Sequence, residues 1–400
     1  MRGDMLLLLS ILSQPPLVVL LSFLAAGFGA GAAGGLLALE KQTRAARRLL
    51  RTGAALLLSF ALFALADWVL LAALPALRLS FSPDIRLPLM ASLLVRLLLL
   101  WALLGAITLA LRRVAAHNPT PARPALAFFL AVNSLFSSAQ LYAYIIEPLW
   151  LDTSRLTLTF DDLDPAAPPL RVVQIADPHI ERSSYREAAV IATVNELAPD
   201  LIVLTGDYLN LSYLDDPISA EDFRRFAGQL HAPYGIYAVR GTVEPRAEGM
   251  ARLLEGTGVI WLEQETVTLD VRGQSITLAG VACSHRYETD ARRLEETVSS
   301  LAPDAFVLLL YHSPDLIHEA AALPVDLYLA GHTHGGQIRL PFINPPIPFS
   351  RYGSQYLAGL FREDGLTMYV SRGLGFEGGG LPRARFFSRP EIVLIELRGR

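Results

Sequence analysis

The sequence predicts an all-α, membrane-embedded N-terminal third followed by an α/β layered sandwich, and two observations carry that division. Over the whole chain 52% of residues are hydrophobic and only 18% charged, too apolar for an ordinary soluble protein. The excess lies in the first 150 residues; from Leu151 onward charges, prolines and turn residues return, so the expected domains are 1–150 and 151–400. A formal net charge of -4, with no long basic stretch, argues against nucleic acid as a partner. The lone Cys283 excludes an intramolecular disulfide, and no phosphate-binding glycine loop or dinucleotide fingerprint is present.

Four apolar stretches, Leu17–Leu39, Thr52–Leu77, Leu87–Leu111 and Ala125–Leu149, each reach the length of about 20 residues that a spanning helix needs. A cleaved signal peptide fits the first poorly, because its flanks are wrong and three further stretches follow. Lys41, Arg44, Arg47, Arg48 and Arg51 fill the first loop and Arg112, Arg113 and Arg123 the third, while the second holds only Arg78 and Arg86 around Asp84. Cationic loops stay in the cytoplasm, so the expectation is a multi-pass cell-membrane protein whose C-terminal domain is extracytoplasmic. Asp67 and Arg96 lie at similar depth on the helices joined by the second loop, and burying either alone costs several kcal/mol, which predicts that they pair as a structural clamp. A transport role for the pair is the alternative.

The C-terminal part alternates apolar, β-branched runs with helical patterns. Strands are expected at Leu156–Phe160, Arg171–Ala176, Leu201–Thr205, Gly235–Arg240, Ser275–Val281, Phe306–Tyr311, Leu327–Ala330, Leu366–Val370 and Ile392–Leu397, with helices at Ser184–Glu196, Ala220–Leu230 and Asp290–Ser300. Metal-ligating residue types directly follow these strands: Asp177 and His179, then Asp207 after Gly206, then His312, then His332 and His334 after Gly331. Ligands at the C-terminal ends of successive strands converge on one rim of a sheet. Any one of them alone reads more simply as a turn residue; the ordered set points to a metal centre.

The segments Asp177-Pro178-His179, Gly206-Asp207, Tyr311-His312 and Gly331-His332-Thr333-His334 resemble the calcineurin-like metallophosphoesterase family, over about residues 168–400. Ala330–Ile338 and Tyr369–Gly375 are similar to a membrane-associated bacterial branch of it. The resemblance implies a β-sandwich flanked by helices, with two divalent metals that activate water for attack on a phosphate ester. Carried over residue by residue, it implies one metal on Asp177, His179, Asp207 and His334, and a second on Asp207, His312 and His332. Oxygen and imidazole donors suit Mn, Fe or Zn. Where the family reads Gly-Asn-His-Asp or Gly-Asn-His-Glu, this chain reads Gly241-Thr242-Val243-Glu244. Thr242 then replaces an amide ligand with a weaker hydroxyl, and Val243 replaces a phosphate-contacting acid with a side chain that cannot donate. One or two ions per chain are therefore expected.

Asp207, His332 and Glu244 are the catalytic candidates, with Glu244 a possible substitute acid. Arg372, Arg383 and Arg385 are candidates for binding substrate phosphate, and Arg372 or His285 for steadying it where Val243 cannot. The Pro- and Phe-rich segment Pro341–Tyr356 reads either as a rigid turn packed on the domain or as an apolar lip resting on the membrane and admitting an acyl chain. The expected function is hydrolysis of a phosphate ester, lipid-linked or of the cell envelope; the alternative is a metal-binding membrane module with weakened catalysis and a regulatory role.

Overall fold

A computed structural model describes residues 44–82, 84–114, 122–244, 247–302, 305–340, 343, 345, 349–376 and 383–400. The first apolar stretch, Leu17–Leu39, lies outside the described residues. The chain divides by its contacts into two units: 44–77 with 82–141, and 78–81 with 142–376 and 383–400. The division thus falls between Leu141 and Tyr142, a little before the composition boundary.

The first unit is helical: α1 (Arg44–Ala73), α2 (Arg86–Val114) and α3 (Ala122–Leu141). Among the described residues three candidate spans, Arg51–Ala73, Arg86–Ala106 and Leu126–Leu149, are long and apolar enough to cross a membrane; the first of the four stretches expected from the sequence is not among those residues. Inside this unit the expected clamp is present. Arg96 Nε donates to Asp67 Oδ2 at 2.6 Å and Nη2 to Oδ1 at 2.6 Å, both residues being buried. The remaining guanidinium hydrogens go to Asn133 Oδ1 (2.8 Å), Ser137 Oγ (2.7 Å) and Gln140 Oε1 (3.0 Å), which explains why α3 is partly polar. Phe63 and Phe136 cover the cation, each ring centroid 4.9 Å from Cζ.

Besides 78–81, the second unit includes a π-helical turn, Tyr142–Ile146, and the short helical turn Glu147–Leu149. Two six-stranded sheets follow. The first has the order β1 (Asp152–Phe160), β12 (Glu391–Gly399), β2 (Leu170–Ile175), β3 (Leu201–Leu204), β4 (Ile236–Ala238) and β5 (Val259–Trp261). The second runs β10 (Gly359–Glu363), β11 (Leu366–Val370), β9 (Leu327–Ala330), β8 (Phe306–Tyr311), β7 (Gln274–Val281) and β6 (Gln264–Val271). Pairing is parallel from β2 through β5 and from β7 through β11.

Their facing sides bury Val172, Leu201, Val203, Leu308, Leu310, Leu329, Val393 and Ile395 in one cluster. Alternate residues on the outer faces, Val173, Ile202 and Leu204 in one sheet and Val307 and Leu309 in the other, pack under helices. Those helices are α4 (Tyr185–Glu196), α5 (Pro217–Ala227) and α6 (Ala247–Leu254) on one side, and α7 (Tyr287–Val298) and α8 (Ile317–Ala321) on the other. Strands buried on both faces explain the continuous apolar runs read from the sequence. Ser184 and Glu187 close a capping box on α4, which gives that serine a structural task close to the site.

Candidate metal centre

The parallel strands β2, β3, β8 and β9 end side by side, and the residues that follow them meet. Asp177, His179 and His334 form one group of donor atoms and Asp207, His312 and His332 another. His179 Nε2 lies 3.1 Å from His334 Nε2, and His312 Nε2 lies 3.0 Å from His332 Nδ1. Two ring nitrogens each about 2.1 Å from a shared ion would be separated by roughly 3 Å, so both pairs fit a cation between them. Asp207 reaches both groups: its Oδ2 is 3.1 Å from His312 Nε2 and 3.6 Å from His179 Nε2. His312 Nδ1 faces the Thr205 carbonyl at 2.6 Å, which fixes that nitrogen as the donor and leaves Nε2 toward the centre.

The backbone is strained where the ligand candidates sit. Asp177, His179, Asp207, His332 and His334 adopt φ values of 50°, 41°, 55°, 68° and 51°, a region that non-glycine residues rarely enter. Such strain concentrates where function fixes a side-chain direction. Two glycines admit the carboxylates. A Cβ on Gly331 would lie 2.2 Å from Asp177 Oδ2, and one on Gly241 2.3 Å from Asp207 Oδ1. The motif glycines are therefore required by close approach.

Thr242 lies beside Asp207. Its Oγ1 is 3.2 Å from each Asp207 carboxylate oxygen, and the backbone N–H groups of Thr242 and Val243 donate to Asp207 Oδ1 at 2.7 and 3.1 Å. Glu244 differs from its expected acid role. Its buried carboxylate accepts N–H bonds from Asp207 (3.0 Å), Tyr208 (2.6 Å) and Gly241 (2.6 Å), so it staples two loops behind the site.

The three candidate phosphate arginines are also committed elsewhere. Arg385 is fully buried and donates to the carbonyls of Gly375 (2.6 Å), Arg372 (2.9 Å), Gly373 (3.1 Å) and Ser388 (2.8 Å), tying 372–375 to Ser388. Arg383 pairs with Glu181 at 2.7 Å and Asn210 at 2.7 Å, and Arg372 with Asp152 at 2.7 Å and Glu391 at 3.0 Å. Each guanidinium thus has protein acceptors, although Arg372 Nε and Arg383 Nη1 are buried without a hydrogen-bond partner among the described residues. His285 is better placed: it is exposed, at φ 59°, with its ring centroid 5.5 Å from that of His332. Its loop is pinned because the Ser284 N–H and hydroxyl donate to Asp290 at 2.8 and 2.6 Å. Sequence reading also passed over Phe349, whose ring lies 6.4 Å from both His332 and His334.

In the absence of metal these groups hold unusual protonation states. Burial pushes the Asp177 carboxyl up to about 8, and repulsion from Asp207 adds to it. Burial opposes the charge on His312, but neighbouring Asp207 outweighs it and raises the imidazole to about 10. Burial, reinforced by His312, lowers His332 to about 3. Between pH 6.5 and about 8, Asp177 and His312 of the folded chain therefore keep protons that the unfolded chain has released. The folded state binds more protons, so metal-free stability falls as pH rises through this window. A cation must displace those protons, so its affinity should rise over the same range. Calorimetric titration with Mn should show tighter binding with increasing pH and net proton release; a pH-independent affinity would contradict this arrangement.

A layered α/β sandwich with two carboxylates and four imidazoles at its strand ends defines the class of metal-dependent hydrolases. The sequence profile described as calcineurin-like phosphoesterase matches residues 170–336. The chain is 32% identical over 266 residues to the uncharacterized metallophosphoesterase YkuE of Bacillus subtilis, covering 64% of this chain and 89% of that protein. It is 30% identical over 270 residues to phosphodiesterase YaeI of Escherichia coli, covering 64% and 92%. It is 25% identical over 317 residues to UDP-2,3-diacylglucosamine pyrophosphatase LpxG of Chlamydia trachomatis, covering 64% and 91%. The chain belongs to the calcineurin-like phosphoesterase family, whose members are metal-dependent phosphoester hydrolases.

Proposed function

We propose that this protein is a membrane-anchored, divalent-metal-dependent phosphoesterase acting on a lipid-linked or cell-envelope phosphate ester. The observation that carries the reading is the convergence of six strained or buried ligand candidates on one rim, with Asp207 within reach of both groups. In this reading Asp177, His179 and His334 hold one ion, His312 and His332 with Thr242 a second, and Asp207 serves both. Bound divalent ions supply Lewis acidity toward water and the phosphoryl oxygens. The protein's own residues fix Asp207 through the Thr242 and Val243 amides and orient His312 through Thr205.

Val243 brings no proton to the leaving group, so the protein is suited to esters whose leaving group departs as an anion. Val243→His is expected to raise kcat on alkyl esters by about 10²- to 10⁴-fold, the usual worth of a positioned acid, with little gain on aryl esters. No change on either class would contradict the assigned consequence of Val243.

The substrate after which LpxG is named, UDP-2,3-diacylglucosamine, supports the lipid-linked reading, as do the three candidate spans among the described residues. Loop placement of arginines supports an extracytoplasmic domain. Residues 78–81 of the second loop group with the hydrolase unit, the Phe81 N–H donating to Glu181 at 2.6 Å, which agrees with loop and domain lying on one side of the membrane.

A second reading, a metal-binding module of weakened catalysis, is favoured by Thr242 and Val243 themselves. The deciding measurement is hydrolysis of an activated aryl phosphodiester by Mn-loaded protein, alongside metal content. Turnover with metal supports the enzyme. Thermal stabilisation by metal with no turnover supports the module.

A further inference from the structure

We propose that a groove beside the ligand turn of His334 seats the acyl chain of an amphiphilic phosphate ester drawn from the membrane. This proposal rests on the phosphoesterase reading above and names its substrate class. The groove has a volume of about 650 Å³, within the range of small-molecule sites; Leu340, Ile343, Phe361 and Phe387 give it an apolar side, and Arg339, Ser354 and Gln355 a polar one.

It adjoins the candidate metal centre through the chain itself. His334 begins a tight turn, His334–Gly336, and Arg339 follows five residues after His334. Gly336 packs so closely on Pro345 that a Cβ there would meet Pro345 Cγ at 2.5 Å. Pro345, which lines the groove, therefore rests on the ligand turn.

The rim is apolar and faces solvent. Leu340, Ile343 and Phe387 are 52%, 63% and 54% exposed, a contiguous patch of the kind that marks a binding surface. Phe387 and its neighbour Phe386 lie against Tyr142, with ring centroids 6.1 and 5.6 Å away. By sequence Tyr142 falls in the C-terminal part of the candidate span Leu126–Leu149. Past it, Ile146, Leu149 and Trp150 are exposed, and Trp150 carries the Arg389 guanidinium 3.5 Å from its ring centroid. Tryptophan and arginine at the end of a span are the usual furniture of a membrane–water interface. Arg339 supplies charge complementarity: it is exposed and has no carboxylate within salt-bridge distance among the described residues, which suits a phosphate head group.

A covered apolar chain gains free energy with each methylene, which predicts a chain-length preference of up to about fourfold in kcat/KM per carbon seated. The test uses the full chain in a non-ionic detergent, loaded with Mn, and nitrophenyl alkyl phosphodiesters of increasing alkyl length below their aggregation limit. Wild-type protein should favour the long esters. Leu340→Ser with Ile343→Asp should flatten the preference by raising KM for long esters while leaving short esters unchanged, and Arg339→Gln should raise KM for all of them.

Absence of chain-length dependence in the wild type would overturn the proposal. So would equal losses on short and long esters in the Leu340→Ser, Ile343→Asp variant, since that is the mark of a packing defect. Failure to hydrolyse any ester with any metal would instead strike the phosphoesterase reading. In that case calorimetric binding of a long-chain alkyl phosphonate to metal-free protein decides the groove alone: heat abolished by the same two substitutions upholds it, and no heat rejects it.

Discussion

Asp207→Asn is expected to lower kcat/KM by about 10³-fold and to reduce bound metal below that of the unaltered chain. The carboxylate oxygen Oδ2 is 3.1 Å from His312 Nε2 and 3.6 Å from His179 Nε2, so its charge serves both donor groups. Replacing it with a neutral amide removes several kcal/mol of transition-state charge stabilisation, and each 1.36 kcal/mol is about a factor of ten. The substitution preserves shape, and the amide oxygen can still accept the Thr242 and Val243 N–H bonds that Oδ1 now receives at 2.7 and 3.1 Å. Loss of folding is therefore not expected. Three readouts separate the outcomes: metal content, thermal stabilisation on adding Mn, and turnover of an activated aryl phosphodiester. Retained turnover with full metal content would remove Asp207 from the centre.

Thr242 is the companion case of smaller effect. Its hydroxyl is already held 3.2 Å from both Asp207 oxygens, so Thr242→Asn offers a longer, stronger donor at a position that faces the centre. Tighter retention of a second equivalent during dialysis is the expected result. Unchanged stoichiometry would show that the hydroxyl is sufficient.

How legible this molecule was in its sequence depended on burial. Strands such as Leu201–Leu204, Phe306–Tyr311 and Leu327–Ala330 are buried on both faces, read as unbroken apolar runs, and were readable with the ligands that follow them. β5, β6 and β10 are half-exposed and escaped, because edge strands need no continuous apolar signal. Two of them nevertheless carry a local mark. Arg272-Gly273 and Asp364-Gly365 both take positive φ at consecutive residues, the hairpin geometry for which Asp-Gly is a strong sequence cue.

Side-chain roles were harder to read than positions. Arg372, Arg383 and Arg385 lie near the site in sequence, yet what decides their use is the set of carbonyls and carboxylates that the fold brings to them. Glu244 is the same lesson: its carboxylate meets three amides contributed by two loops, a meeting no local pattern encodes. Pairing of Asp67 with Arg96 was readable because only one partner of opposite charge lay at matching depth.

That pair should show the largest effect outside the hydrolase unit. Breaking a buried ion pair by removing one member costs about 3–5 kcal/mol, because the other charge is left uncompensated. The two truncations leave different groups unpaired. In Asp67→Ala, Arg96 keeps Asn133, Ser137 and Gln140 as acceptors but loses its carboxylate partner inside an apolar bundle. In Arg96→Ala, Asp67 keeps the Ser92 hydroxyl beside it, while Asn133, Ser137 and Gln140 lose their common donor. The double replacement should recover much of the deficit, though not all, because Asn133, Ser137 and Gln140 then lack their common donor. Folded yield and resistance to denaturing detergent of the full chain measure the cycle. Additive losses would mean that the two side chains act independently and that the clamp is not what holds α1, α2 and α3 together.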